Sequence, residues 1–216
     1  MAAIKDKYYG LRLRAIHALK MDNDEVRNAA QPLLINIAQT DENTLVRAEA
    51  LNVLAALKAP GNLNLFKQAL SSQSYAVEAA GLNGISALNP AEAFTTAKSL
   101  EKESGGALTS ALIGIYTTNG SDAEWPFIAQ NFDALPAQEK FNNLGNYASM
   151  TGRVQNPQYA QQGITTLKDL AIRFKPYGVD SYIIGMLNNI KAKRTQMGDA
   201  ASASAVDQAL AQLNQK

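Results

Sequence analysis

Apolar and polar positions along the chain recur in a pattern with a long period. The stretch "LRLRAIHAL" at 11–19 returns as "VRAEALNVL" at 46–54, which aligns Ile16 with Leu51 at an offset of 35. Within each stretch the aliphatic residues are spaced three and four apart, as on one face of an α-helix. The likeness predicts two similar helices in similar units, as in a chain built from repeats.

The same register continues further along the chain. Leu82 follows Leu51 by 31 residues and Leu112 follows Leu82 by 30, each with a small residue before it and an aliphatic residue three positions later. A small residue lets a neighbouring helix approach closely, and the aliphatic pair fills the space beside it. We therefore expect Ile16, Leu51, Leu82 and Leu112 to be buried at equivalent positions of successive first helices, with Gly81 at a close helix crossing.

Further segments have helical apolar spacing, and they lie between and after these first helices. They are 22–39, 62–70, 90–103, 121–135, 137–150, 157–174, 181–194 and 203–213. Their start signals are Asp22 or Asn23, then Asn89 followed by Pro90, and then either Ser121 with Glu124 as a capping box or Pro126. Pro32 is expected to kink its helix. No segment shows the alternation of a strand, so the sequence predicts an all-α chain of stacked antiparallel helix pairs, with 1–216 as a single domain.

Composition limits the class of protein. The chain contains no apolar run near twenty residues, which predicts no membrane span, and no cysteine, which excludes disulfides and thiolate metal sites. The first twenty residues have no apolar core of a signal peptide, so none is expected. The first repeat begins within about a dozen residues without a polar capping unit, and we therefore expect the chain to be part of a longer protein.

Residues capable of catalysis are few. His17 is the single histidine, and helical spacing places it off the apolar stripe, which predicts a surface residue. One histidine without cysteine does not supply the ligands of a zinc site, and the pair Glu101 and Glu103 is expected on a solvated helix end. The sequence thus predicts no catalytic, cofactor-binding or metal-binding residue.

Charge argues against nucleic acid as a partner. The formal net charge is +1, and the basic residues are read as spread out apart from a cluster at Lys191, Lys193 and Arg194. Phosphate binding needs several concentrated cations. The cluster is expected to be the cationic last turn of a helix, where it complements the helix dipole.

Aromatic residues leave two interpretations open. Either they form a peptide-stacking surface, or most of them fill the core where helix pairs meet, and the second is favoured because large aromatic side chains supply burial there. The residues concerned are Trp125, Tyr8, Tyr9, Tyr147, Tyr159, Tyr177 and Tyr182.

Three segments carry a resemblance to a known family. The opening "IKDKYYGLRLRAIHAL", the arginine-bearing "LVRAEALNVLAAL" and the closing "SYIIGMLNNIKAKRTQMGDAASASAVDQAL" resemble the C-terminal helical-repeat domain of bacterial M1-family zinc aminopeptidases, especially the secreted type. The likeness extends over nearly the whole chain. It implies a HEAT/ARM-like α-solenoid. The zinc motif H-E-x-x-H, the G-x-M-E-N segment and the catalytic tyrosine of that family belong to upstream domains, so no catalytic residue is carried over.

The resemblance also implies a supporting role. The domain would wall the substrate chamber, pack on the upstream catalytic domain of the same polypeptide and admit peptide substrates. The zinc would lie in the catalytic domain, and the parent enzyme would be secreted, periplasmic or bound to the cell envelope. The candidate domain interface is the edge formed by the first helix pair, with Tyr8, Tyr9 and Arg12. The alternative is a free-standing HEAT-like scaffold that binds a protein partner.

Overall fold

The structure, a computed structural model, describes residues 2–214. Within this range the chain forms α-helices joined by short turns and 3₁₀ segments, and it contains no β-strand. The helices are α1 (Tyr9–His17), α2 (Asp24–Thr40), α3 (Thr44–Ala56), α4 (Leu63–Ala69), α5 (Tyr75–Leu88), α6 (Pro90–Leu100), α7 (Gly106–Asn119), α8 (Trp125–Phe132), α9 (Ala137–Arg153), α10 (Pro157–Phe174), α11 (Asp180–Gln196) and α12 (Ala200–Leu213). The predicted all-α class is confirmed.

Side-chain caps fix where several helices begin, because the first amides of a helix have no partner within it. Asn23, rather than Asp22, caps α2 by accepting from the backbone N–H of Val26. Asn89 caps α6 in the same way, with Pro90 in the first position, as predicted. Both start signals predicted for the segment at 121–135 are present. Ser121 and Glu124 form the capping box of a 3₁₀ turn, and α8 begins directly after that turn with Pro126 in its first turn.

Pro32 lies inside α2, which continues on both sides of it to Thr40. A proline removes one helical hydrogen bond, and a helix held by tertiary packing survives that loss. Ala30, Leu34 and Ile37 of α2 are buried and supply the packing. The predicted kink at this position stays a prediction.

The residues up to Ile115 form one compact unit, here called unit 1. In it, the first helices are neighbours, with α3 packed against α1 on one side and α5 on the other. The second helices cover them, since α2 packs on α3, and both α4 and α6 pack on α5. The four residues predicted at equivalent positions are all fully or almost fully buried, which confirms their placement in the core: Ile16, Leu51, Leu82 and Leu112.

Gly81 shows why this position of α5 must be small. A Cβ atom added there would lie 2.7 Å from the carbonyl oxygen of Phe66 and 2.8 Å from the Cβ of Ala69, both in α4. These separations are shorter than van der Waals contact, and one of the two atoms belongs to the backbone. The predicted close helix crossing is confirmed.

The residues from Tyr116 onwards form the second compact unit, here called unit 2. Two helix hairpins stack in it, with α9 packed on α11 and α10 packed on α12. An aromatic group fills the core, in which the Tyr147 ring stacks on Phe132 at 4.1 Å between centroids and lies 5.6 Å from the Trp125 ring. The indole N–H of Trp125 donates to Gln162 at 2.8 Å, so the buried polar atom is satisfied.

Arginine side chains tie the end of one helix to the next helix in both units. In unit 1, Arg47 of α3 donates to the carbonyl of Ala38 near the end of α2 at 3.1 Å. In unit 2, Arg153 at the end of α9 donates to the carbonyls of Thr118 and Gly120 at the end of α7. The last carbonyl oxygens of a helix accept no hydrogen bond from within that helix. A guanidinium from a neighbouring helix supplies the missing donor.

Arg194 makes the same kind of tie from the last turn of α11. The side chain is fully buried, donates to the carbonyl of Thr151 in α9 at 2.9 Å, and lies 3.5 Å from the carboxylate of Asp199, the N-cap of α12. Burial lowers the pKa of the Arg194 guanidinium, and the charges of Asp199 and Asp122 oppose that shift. The predicted placement in a cationic last turn is confirmed for Lys193 and Arg194, and the structure adds that Arg194 is buried.

Candidate interaction surface at the first helix

One side of α1 is exposed along its whole length. Gly10, Leu11, Arg14, His17 and Ala18 are all exposed, and their spacing of three and four places them on one side of the helix. Ile16 lies on the opposite side and is buried. We call this outward side, together with the adjoining Tyr8 and Tyr9, the α1 face.

Leu11 is the clearest sign that the α1 face is an open stacking surface. By the repeat register, its counterparts are Val46 in α3 and Val77 in α5. Both valines are 0% exposed, whereas Leu11 is 43% exposed. α3 has α1 beside it and α5 has α3 beside it. The position of Leu11 is therefore one that a preceding helix covers in the second and third repeats.

The two tyrosines extend this surface at the start of the helix. Tyr8 and Tyr9 are 62% and 52% exposed. Tyr8 precedes the first turn of α1, its backbone N–H donates to the carboxylate of Asp6, and the ammonium of Lys7 lies 5.0 Å from its ring centroid. Large aromatic side chains held outward in this way are the residue type that supplies contact area at protein interfaces.

Arg12 has a different position from the one expected for an interface residue. Its Nε and Nη2 donate to the two carboxylate oxygens of Asp41 at 2.8 and 2.7 Å, and its Nη1 donates to the carbonyl of Asp6. The hydrogen bond to Asp41 raises the pKa of Arg12, against the opposing effect of burial. The side chain thus holds the segment before α1 against the end of α2. The prediction that Tyr8, Tyr9 and Arg12 form a domain interface stays a prediction, and the tyrosines are its accessible part.

His17 lies further along the α1 face. Its side chain is 65% exposed, and its Nδ1 is 3.1 Å from the carboxylate of Glu49 in α3. The predicted surface position is confirmed.

Charge is concentrated at the same end of the chain, which sequence reasoning missed. Residues 1–20 contain five of the 20 Lys and Arg but one of the 19 Asp and Glu, so they carry +4 and the remaining residues carry −3. The prediction that the basic residues are spread out is therefore wrong for residues 1–20. A charge count in windows along the chain would have found this asymmetry.

Aromatic residues elsewhere divide between core and surface. Trp125 and Tyr147 are buried, as favoured, and Tyr159 is half-buried with its ring stacked 5.9 Å from that of Trp125. Tyr177 and Tyr182 are exposed, like Tyr8 and Tyr9. The expectation that most of these tyrosines are core residues is therefore wrong, because the ends of helix pairs leave aromatic side chains in solvent as readily as they bury them.

Among residues 2–214, no three His, Cys, Asp or Glu side chains are grouped so that they could hold a metal ion. Glu101 and Glu103 lie in a 3₁₀ turn after α6, and Glu103 contributes, after burial, to a raised pKa of Glu78 in α5. Across the same residues, every helix falls short of the length and apolarity that a membrane crossing requires.

Comparisons with known proteins agree with this architecture. A family model described as HEAT repeats matches residues 1–86, which include α1 to α4 and most of α5. No match was found among curated proteins or among solved structures. The predicted fold class, an all-α HEAT/ARM-like α-solenoid of stacked antiparallel helix pairs, is confirmed, and residues 1–86 are similar to HEAT repeats.

Proposed function

We propose that this chain is a non-catalytic helical-repeat domain whose α1 face packs on a neighbouring domain of the same polypeptide. The observation that carries the proposal is the exposure of Leu11, where Val46 and Val77 are covered by a preceding helix. A HEAT-like repeat buries its apolar side against the next repeat, so an open terminal side needs either a capping unit or a partner. Two exposed tyrosines beside Leu11 favour a partner over a polar cap.

The neighbour we propose is the catalytic domain of an M1-family zinc aminopeptidase. The resemblance of three segments of the sequence to the C-terminal domain of those enzymes supports this identity. In that role the repeats would wall the substrate chamber and restrict it to peptides, while the zinc and the catalytic residues would belong to the neighbour. The purified chain alone is then expected to bind no stoichiometric zinc and to cleave no aminoacyl chromophore. One zinc per chain together with turnover would end the non-catalytic proposal.

The alternative is a free-standing scaffold that binds a separate protein. The match to HEAT repeats supports this role equally, because concave helical-repeat surfaces commonly hold protein partners. The two proposals differ in what precedes Met1 in the gene. A reading frame that continues upstream into a zinc-peptidase domain supports the first, and a ribosome-binding site directly before Met1 supports the second.

A stability measurement tests the packing itself. The chain joined to the upstream domain is expected to melt at a higher temperature than the chain alone, because the neighbour covers the α1 face. Changing Tyr8 and Tyr9 to Ser, or Leu11 to Ser, should abolish this gain and alter the isolated chain little, because all three residues are exposed there. Leu45→Ser is the matched control, since Leu45 at the start of α3 is 52% exposed, compared with 43% for Leu11.

Two outcomes would count against the proposal. Equal destabilisation of the isolated and the joined chain by the tyrosine variant would make these residues core of the repeat domain. An upstream domain that keeps its full stability and its peptide-length selectivity without this chain would favour the free-standing scaffold.

A further inference from the structure

We infer that the surface packed on the α1 face is an acidic helix. This inference rests on the proposed function, because it concerns the chemistry of the partner at that same face. It starts from the charge asymmetry, in which residues 1–20 carry +4 and the remaining residues carry −3. A local excess of this size has to be balanced either by solvent ions or by a partner of opposite sign.

The cations responsible are exposed and unpaired. Lys5, Lys7, Arg14 and Lys20 are all exposed, and none of them forms an ion pair with another described residue. The fifth cation, Arg12, is neutralised by Asp41 within the fold. Cations elsewhere on the surface of unit 1 and unit 2 often do have partners, such as Lys67 with Glu92 and Lys191 with Asp207.

The shape of the α1 face suits a helix. Gly10 and Ala18 lie on either side of Arg14 along the face, and no heavy atom lies within 4 Å of the position that a Cβ on Gly10 would occupy. Small residues let a second helix axis approach closely, and the packing of α1 on α3 shows that this helix already stacks side by side with another. Leu11 would then fill the gap between the two helices, and the cations would meet carboxylates at the rim of the contact.

The composition of the face favours a protein over a membrane or a nucleic acid. Ile16 is buried in the fold, which leaves Leu11 as the large aliphatic side chain on the α1 face, and one such side chain is a small apolar area for entry into a lipid layer. Four exposed cations are few for a phosphate backbone, and the negative charge of the remaining chain opposes polyanion binding. Tyrosines beside cations are instead a common composition of protein interfaces.

Two designed helices joined upstream of Met1 through a flexible Gly/Ser linker test the inference. Both carry leucines at three- and four-residue spacing, and they differ only in the flanking positions, which are Glu in one and Lys in the other. The linker makes binding intramolecular, so even a weak preference is measurable as a change in melting temperature. We expect the Glu helix to raise the melting temperature of the chain by about 4 °C and the Lys helix to raise it by less than half as much.

Charge reversal on the face provides the specific control. In the Lys7→Glu/Arg14→Glu variant, the preference for the Glu helix over the Lys helix should disappear or reverse. The Arg173→Glu/Lys175→Glu variant changes the net charge by the same amount at exposed positions of unit 2, and it should keep the preference. Raising sodium chloride from about 0.05 to about 0.5 M should shrink the preference, because exposed charges are screened.

The outcomes separate this inference from the proposed function. If both helices raise the melting temperature equally, the acidic partner is excluded and the open stacking face stands. If neither raises it, the α1 face is not a stacking surface and both proposals fall. If the chain sediments with vesicles of equimolar phosphatidylserine and phosphatidylcholine, and Lys7→Glu/Arg14→Glu releases it, the partner is a membrane and the inference is overturned.

Discussion

Gly81→Ala is the substitution whose cost the structure defines most closely. The added methyl group would lie 2.7 Å from the carbonyl oxygen of Phe66 and 2.8 Å from the Cβ of Ala69. Neither atom can be moved by a change of rotamer, because one is backbone and the other is fixed to it. The substitution therefore has to push α5 and α4 apart or bend one of them.

The expected magnitude is the difference of two terms. Overpacking of a close helix contact costs about 1–3 kcal/mol, and replacing glycine by alanine in a helix interior gains roughly 1 kcal/mol. Gly145 in α9 isolates the second term, since a Cβ there meets no heavy atom within 4 Å. Gly145→Ala should stabilise the protein, and the free energies of unfolding of the two variants should differ by about 1–3 kcal/mol.

Urea unfolding followed by circular dichroism at 222 nm measures both variants, because helices of both units contribute to that signal. Gly10→Ala in α1 serves as a second control within unit 1, as the space around it is also open. Equal stabilisation by Gly81→Ala and Gly145→Ala would refute the close crossing and, with it, the repeat register that placed a small residue there.

The remaining predictions concern the core, a carboxylate and the buried arginine. Leu51→Ala should destabilise the protein by about 2–5 kcal/mol because it leaves a cavity at a fully buried site. Leu45 is exposed, so Leu45→Ala should change the free energy of unfolding by less than about 0.5 kcal/mol in the same urea titration. Similar effects of the two substitutions would contradict the repeat register. Burial, together with a neighbouring carboxylate, raises the pKa of Glu78, so its ionisation opposes folding as pH rises. Glu78→Gln should therefore raise the melting temperature at pH 7 and lose this advantage near pH 4, and a pH-independent effect would exclude titration as its cause. Arg194→Met should cost roughly 2–4 kcal/mol, since it leaves the Asp199 carboxylate and a backbone carbonyl without their partner, and a variant as stable as the parent would show that the tie is dispensable. Burial favours a higher pKa for Asp199, but hydrogen bonds from Ser202 and the charge of Arg194 outweigh burial, and the pKa is lowered overall. The parent protein should therefore lose stability as pH falls below about 4. The Arg194→Met variant should lose less stability over that range.

Helix positions were predictable because local signals determine them. Residues 157–174 form α10 with the predicted bounds, as Asn156 caps the helix and Pro157 occupies its first position. The buried positions of the first helices followed from the repeat register alone, since a repeated pattern implies a repeated environment. Helix ends depend on residues that are neighbours in sequence, and the buried positions depend on the repeat, so both can be read from a single sequence.

The environments of Arg194 and Arg12 depend on partners that are distant in sequence. Arg194 lies four residues after Ile190 and seven after Leu187, on the buried side of α11. Its burial follows from a carbonyl in α9, which no local pattern reveals. Arg12 is a second example, because its guanidinium pairs with Asp41 at the end of α2, and this pairing is not visible in the local sequence pattern. For the α1 face, the charge asymmetry was visible in the sequence, but the exposure of Leu11 required the structure.

Each contact between an arginine side chain and the end of another helix, here called a joint, requires a particular residue type only at the arginine. Arg47, Arg153 and Arg194 donate to backbone carbonyls, which every residue type possesses. The acceptor positions are therefore free to vary in sequence while the joint persists, provided the helix still ends at the same place. Such a joint allows neighbouring repeats to diverge almost completely and still meet at a fixed distance. Arginine-to-carbonyl contacts of this kind occur both within residues 1–86, which match HEAT repeats, and beyond them.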